Sequence, residues 1–136
     1  MLYEMGLRLV SKSLLLVLVL SSSIYLFGQE KKSIEAKPEV TFIELGSVKC
    51  IPCKQMQPVM KAIEKSYGEQ VKVIFYDVWT PEQKPFAKKY GVKLIPTQIF
   101  LDENGKEFFR HEGFYPEKEI DKLLGARGIN PISKKK

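Results

Sequence analysis

Hydrophobic and polar positions follow patterns along most of the chain that are typical of a small α/β domain. Four short runs have the apolar, β-branched and aromatic composition of strands, and they cover residues 40–45, 71–77, 97–101 and 107–111. Apolar positions recur at helical spacing in three other segments, over residues 51–67, over residues 82–90, and from Pro116 onwards. The pattern therefore predicts the element order β-α-β-α-β-β-α.

This order of elements constrains the sheet. Two strands joined by a helix are expected to pair in parallel through a right-handed crossover. The Asn104-Gly105 pair between the last two strands is typical of a hairpin turn, so those strands should be antiparallel at one edge. We predict an α/β fold with a mixed sheet of four to five strands and helices on both faces. The sequence does not decide whether a short extra strand precedes Val40.

The first residues have the pattern of a targeting segment. Arg8 and Lys12 precede a short apolar run over residues 14–20, which is the order of charge and hydrophobicity found in export signals. The positive-inside rule then places everything that follows outside the cytoplasm, in the periplasm or on the cell surface. Two outcomes stay open, cleavage after Ser23 or retention of the segment as a membrane anchor.

The predicted organisation has four parts. Residues 1–28 form a signal peptide or anchor, residues 29–39 a polar linker, residues 40–125 the folded domain, and residues 126–136 a basic tail. A domain of this size can bury a workable core without extra disulfides. The formal charge of +6 permits nucleic-acid binding, but the lysines are scattered and form no basic stripe between aromatic residues. We therefore predict that the protein binds no nucleic acid. We also expect it to be a monomer.

The two cysteines, Cys50 and Cys53, are the only ones in the chain. Where a helix begins between them, both sulfurs lie beside its first turn, and the helix dipole favours a thiolate there. A structural disulfide across so small a ring would restrict the unfolded chain little. A zinc site needs four ligands, and the chain adds only His111 and carboxylates. A reversible dithiol/disulfide switch is the favoured interpretation, and metal binding is the alternative.

Several separated motifs resemble those of the thioredoxin superfamily in order and spacing. The resemblance covers residues 40–124 and rests on Cys50-Ile51-Pro52-Cys53-Lys54, Pro58, Lys89-Tyr90-Gly91-Val92, Ile95-Pro96-Thr97 and Gly113. Each motif is weak alone, but together they are specific. The resemblance implies a thioredoxin fold and a redox disulfide between Cys50 and Cys53.

The same resemblance implies roles for three side chains. Cys50 would attack a partner's disulfide, and Cys53 would resolve the mixed disulfide that results. Glu44 stands where the family usually has a buried aspartate, and it would take up and return the proton of the resolving thiol through water. Val73 stands where the family has a buried lysine, so Glu44 should be protonated more readily.

A second group of residues is implied to bind substrate. Pro96 would be preceded by a cis peptide bond and would face the cysteines across a groove. The backbone N–H and C=O of Ile95 would bind an extended substrate segment. Thr97, Ile51 and Pro52 would complete the binding surface.

The sequence thus predicts an extracytoplasmic thiol–disulfide oxidoreductase that uses no cofactor and no metal. Its expected partners are protein thiols and disulfides outside the cytoplasm, with a DsbD-type membrane electron donor. It would reduce protein disulfides or relay electrons, for cytochrome c maturation or disulfide repair. The alternatives are a disulfide-forming oxidase or isomerase, and a non-catalytic binding module whose cysteines bind metal.

Overall fold

The computed structural model describes residues 37–132, and four strands in this range form one mixed sheet. The strands are β1 (Val40–Gly46), β2 (Val71–Asp77), β3 (Thr97–Asp102) and β4 (Glu107–Glu112). Their order is β2-β1-β3-β4, with β1 parallel to β2 and antiparallel to β3, and with β3 antiparallel to β4. The predicted mixed sheet is confirmed, with four strands in the described range.

Three helices cover the sheet, namely α1 (Ile51–Tyr67), α2 (Lys84–Lys89) and α3 (Glu117–Gly125). Helix α2 is shorter than the predicted segment 82–90, and the reason is Pro85. A helix that began at residue 82 would need the N–H of its fourth residue, which proline lacks. In the structure Pro85 lies in the first turn, where that N–H has no intrahelical partner.

The hydrophobic core lies on both faces of β1. Phe42 on one face packs with α1, α3 and Phe100, whereas Ile43 and Leu45 on the other face pack near α2. Five of the seven residues of β1 are buried and are either apolar or glycine, which explains its nearly continuous apolar sequence. Helix α1 is tied to α3 by the Tyr67 hydroxyl, which donates a hydrogen bond of 2.7 Å to Asp121 Oδ1.

The end of the domain differs from the prediction. Residues 126–136 were expected to form a basic tail, but residues 126–132 pack back on the domain. Ile129 is only 4% exposed and belongs to the main core, and its N–H donates to the C=O of Leu124. The Gln70 side chain donates to the C=O of Asn130. The buried side chain of Ile129 therefore extends the domain past its predicted end at residue 125.

The predicted export segment, residues 1–28, lies outside the described residues. Among residues 37–132, none of the helices combines the length and the apolar character that a membrane span requires.

Phe100 provides a test of this core. Its ring is fully buried and stacks on Phe42 with the ring centroids 4.7 Å apart. Phe100→Ala should lower the free energy of unfolding by roughly 3–5 kcal/mol, because it removes a large ring from a closed site. Leu94→Ala is the control, since Leu94 is exposed and its truncation should change stability by less than about 0.5 kcal/mol. Urea denaturation measures both, and equal effects would contradict the described core.

Candidate active site

The two cysteines lie at the start of α1, immediately after the loop that leaves β1. Cys50 is the N-cap residue, and its C=O accepts the N–H of Lys54 at 3.0 Å. The N–H of Cys50 donates to the C=O of Ser47 at 3.2 Å. Pro52 lies in the first turn, where its missing N–H costs nothing. Cys50 and Cys53 are joined by a disulfide with their Cα atoms 5.3 Å apart, inside the usual range.

The two sulfur-bearing residues differ in exposure. Cys50 keeps 8% of its surface exposed, whereas Cys53 is fully buried. The first turn carries no acidic residue, and Lys49 and Lys54 beside it are exposed. A partner sulfur can therefore approach Cys50 but not Cys53, and the helix N-terminus favours negative charge at Cys50.

The segment before β3 is fixed by two hydrogen bonds. The Ile95–Pro96 peptide bond is cis, the isomer expected from the resemblance, and Pro96 is buried. The C=O of Pro96 accepts the N–H of Gly113 at 2.8 Å, and Gly113 has a φ of 91°, which side chains other than glycine rarely adopt. The Thr97 hydroxyl donates to the C=O of Leu94 at 2.6 Å.

The residues that were expected to bind substrate differ in exposure and in hydrogen bonding. Thr97 is fully buried and its hydroxyl is occupied, so its side chain supports the loop and does not face solvent. Ile95 is half-buried, and neither its N–H nor its C=O is hydrogen-bonded to another residue in the described range. Ile51 is 74% exposed and Pro52 is also exposed.

Large apolar side chains are exposed around the same end of the sheet. We call them the apolar rim, and they are Val48, Ile51, Trp79, Leu94 and Phe114. Two segments of the rim are held together by Asp77, whose carboxylate accepts the N–H of Val48 at 3.2 Å and that of Trp79 at 3.1 Å. Partial burial opposes ionisation of Asp77, but these hydrogen bonds lower its pKa below the ordinary value.

A buried polar pair lies behind the cysteines. Glu44 on β1 is directly opposite Gln98 on β3, and neither side chain is exposed. Gln98 Nε2 donates to Glu44 Oε2 at 3.0 Å, while Glu44 Oε1 and Gln98 Oε1 have no partner within the described range. Burial raises the pKa of Glu44 to about 8, and the hydrogen bond from Gln98 opposes this rise.

Gly46 brings the Glu44 carboxyl and Cys53 to the same small space. A Cβ atom placed on Gly46 would lie 3.3 Å from Cys53 Sγ and 3.4 Å from Glu44 Oε1. Such a Cβ would also lie 3.2 Å from Cys53 Cβ, which is tighter than nearly all real contacts. Glycine at this position therefore leaves free a space that borders both the unpartnered oxygen and the buried sulfur.

Sequence reasoning did not identify Gln98. A signal was present, because Gln98 directly precedes the apolar run at residues 99–101 and follows Pro96 by two residues. Only the register of β1 against β3 shows that it faces Glu44. His111 lies opposite Gln98 on β4 and stacks on Tyr115. Among residues 37–132, no three or more metal-binding side chains are grouped so that they could hold an ion.

A mixed α/β sheet with a dithiol/disulfide pair at the first turn of a helix defines a thiol–disulfide oxidoreductase. A family model described as a thioredoxin-like domain matches residues 27–128, and the chain belongs to this family.

Similar proteins agree with this assignment. The chain is 30% identical over 92 residues to a thioredoxin of Bacillus subtilis (strain 168). The aligned region covers 68% of this chain and 86% of that protein. It is 34% identical over 82 residues to the SPbeta prophage-derived thioredoxin-like protein YosR of the same organism. That alignment covers 60% of this chain and 91% of that protein.

A solved structure supports the fold. A mutant thioredoxin from Halobacterium salinarum NRC-1 matches with a TM-score of 0.58 at 22% identity, over 65% of this chain and 74% of that chain. The predicted thioredoxin fold is therefore confirmed.

The elevated pKa of Glu44 predicts how stability depends on pH. The folded state holds the Glu44 proton up to about pH 8, whereas the unfolded chain releases it near the ordinary value of 4.5. Stability is therefore highest below the unfolded pKa and falls as the pH rises through this window, by at most about 5 kcal/mol.

Glu44→Gln is the matched control for this dependence. The oxidised variant should lose most of the decrease between about pH 5 and pH 9. The carboxyls whose pKa is lowered, Asp77, Asp102 and Glu107, lose their contribution only in more acidic solution. Urea denaturation of both proteins across this range measures the effect, and parallel profiles would contradict it.

Proposed function

We propose that this thiol–disulfide oxidoreductase acts outside the cytoplasm, where it reduces disulfides of other proteins. The observation that carries the redox role is the unequal exposure of Cys50 and Cys53 at the start of α1. In the proposed reaction, the Cys50 thiolate attacks a partner disulfide and forms a mixed disulfide. Cys53 then attacks Cys50 and releases the partner as a dithiol.

Glu44 is proposed to handle the proton of the second step. Cys53 is fully buried, so its thiol proton has no direct route to water. Glu44 Oε1 borders the same space beside Gly46 and has no other partner in the described range. A pKa of Glu44 of about 8 suits a group that accepts and returns a proton near neutral pH.

The substrate is proposed to be an extended protein segment that carries an accessible disulfide. Two features support this class. The N–H and C=O of Ile95 have no hydrogen bond in residues 37–132, and an extended chain can pair with such groups by strand addition. The apolar rim offers exposed side chains on which apolar neighbours of the substrate cysteine can pack.

The compartment and the direction of electron flow are supported by the sequence alone. The charged and apolar pattern of residues 1–28 supports export. A tether at the membrane would suit supply of electrons by a DsbD-type membrane donor, with disulfide repair or cytochrome c maturation as the destination. Outside the cytoplasm such a donor is needed, because the surroundings oxidise thiols.

Cysteine variants test the redox role. Wild-type protein should reduce the disulfides of insulin in the presence of dithiothreitol, and Cys50→Ser should abolish this activity because the attacking sulfur is lost. In the absence of dithiothreitol, the reduced Cys53→Ser variant should retain the first attack and accumulate a mixed disulfide with insulin, visible on a non-reducing gel. Full activity of Cys50→Ser, measured by insulin precipitation, would contradict the assignment.

A trapping experiment in the native host tests compartment and partners. Cys53→Ser should capture exported proteins and a membrane electron donor through Cys50, and the double variant Cys50→Ser, Cys53→Ser should capture none of them. Mass spectrometry of the captured proteins gives the result. Capture of cytoplasmic proteins alone would overturn the proposed compartment. Thiol alkylation should show a mostly reduced Cys50–Cys53 pair in cells, and a mostly oxidised pair would instead support a disulfide-forming oxidase.

A further inference from the structure

Gln98 is a fully buried amide in the middle of the sheet, and the overall fold does not require it there. Its neighbours along β3, Ile99 and Phe100, are buried apolar residues. An apolar residue at position 98 would avoid the free-energy cost of burying an amide, which is substantial unless both ends are hydrogen-bonded. Gln98 Nε2 has one partner, Glu44 Oε2, whereas Gln98 Oε1 has none within the described range.

The hydrogen bond from Gln98 makes the two oxygens of Glu44 different. Oε2 is held by Gln98 Nε2 at 3.0 Å. Oε1 has no partner among the described residues, and it borders the space beside Gly46 that Cys53 Sγ also borders. Because a carboxylate is planar, fixing Oε2 on the β3 side also fixes the direction in which Oε1 points.

We propose that Gln98 is a positioning residue that holds Oε2 of Glu44, so that Oε1 faces Cys53 and exchanges the proton of its thiol. This inference rests on the proposed role of Glu44 as the proton acceptor. Gln98 touches neither sulfur nor substrate and acts only through Glu44.

Resolution of the mixed disulfide moves one proton to Glu44 and two electrons to the substrate. In the mixed disulfide, the Cys53 thiol gives its proton to Glu44 Oε1, and the Cys53 sulfur attacks Cys50 Sγ. The Cys53–Cys50 bond forms, the bond between Cys50 and the substrate breaks, and the substrate sulfur leaves with the electron pair. The substrate disulfide has then gained two electrons, and the dithiol of this protein has lost two.

An amide suits this position better than a cation does. Its N–H group donates to the ionised carboxylate, and its C=O, after rotation of the terminal amide, can accept from the protonated carboxyl. A lysine would serve the ionised form alone and would hold the carboxylate ionised at neutral pH. Glutamine therefore supports Glu44 both before and after proton transfer.

Among residues 37–132, few other titratable groups lie near Glu44. Helix α1 contributes Cys53, the end of β2 contributes Asp77 opposite Gly46, and β4 contributes His111 opposite Gln98. The Asp77 carboxylate is engaged by backbone N–H groups, and His111 Nε2 lies 3.2 Å from the C=O of Phe114. The pKa of Glu44 is set by its burial and by Gln98, with no charged group among the causes.

Single-turnover reaction of the fully reduced protein with 5,5′-dithiobis(2-nitrobenzoic acid) separates the two steps. Attack by Cys50 releases a first thionitrobenzoate, and resolution by Cys53 releases a second. In wild-type protein the rate of the second release should rise with pH around a midpoint of about 8. Cys53→Ser, which lacks the resolving sulfur, should show the first release only.

Gln98→Leu is the test variant. Loss of a hydrogen bond to the carboxylate should raise the midpoint of the second release by about one pH unit and slow that release roughly tenfold near pH 7. Well above both midpoints, the rate of the second release should be the same in Gln98→Leu and in wild-type protein. The rate of the first release should differ between them by no more than about twofold. If Gln98→Leu fails to fold, Gln98→Met is the substitute, because methionine is unbranched like glutamine. It should give the same pH profile as is expected for Gln98→Leu.

Glu44→Gln separates failure of this inference from failure of the proposed function. If Glu44→Gln leaves the second release and its pH dependence unchanged, Glu44 is not the acceptor, and the proposed role of Glu44 fails. If Glu44→Gln slows the release but Gln98→Leu keeps the wild-type midpoint, Glu44 keeps its role and the inference on Gln98 is overturned.

In the Glu44→Gln background, Gln98→Leu should have no further effect on the second release. An equal slowing there at every pH would indicate a structural defect and would also overturn the inference.

Discussion

Strand β1 lies between two hydrogen-bonded neighbours and has the core on both of its faces, so every side chain along its second half is removed from water. The site depends on this constraint. A carboxyl at position 44 cannot reach solvent, so its protonated form is favoured at neutral pH. The strand ends at Gly46, and four residues later the chain reaches Cys50 at the start of α1. One buried strand thus presents the reactive pair at its end and places a proton acceptor behind it.

Burial also gives the two sulfurs different roles. Cys50 keeps a small exposed surface beside the apolar rim, while Cys53 faces the interior next to Glu44. The outer sulfur can therefore meet a protein partner, and the inner sulfur can react only with the outer one. The carboxyl that serves the inner sulfur destabilises the fold when it ionises, so function and stability oppose each other at this residue.

Most of the fold was predictable from the sequence, because strand and helix periodicities are local properties. The four strands, the hairpin at Asn104-Gly105 and the redox pair all followed from such patterns. Gln98 was not predictable, because its meaning depends on which residue of β1 it faces, and register is a tertiary property. The burial of Ile129 was missed because the lysines after it dominate the composition of the end of the chain.

The ionisation of Glu44 tests the central claim most directly. Carbon-13 NMR of the side-chain carboxyl groups, with the Glu44 signal assigned from its loss in Glu44→Gln, gives the pKa of this residue without reference to activity. A titration midpoint near 8 is expected, because burial disfavours the carboxylate and the neutral Gln98 amide compensates only in part. A midpoint near the ordinary value of 4.5 would show that Glu44 is ionised at neutral pH. It would contradict the account of a buried proton acceptor behind Cys53.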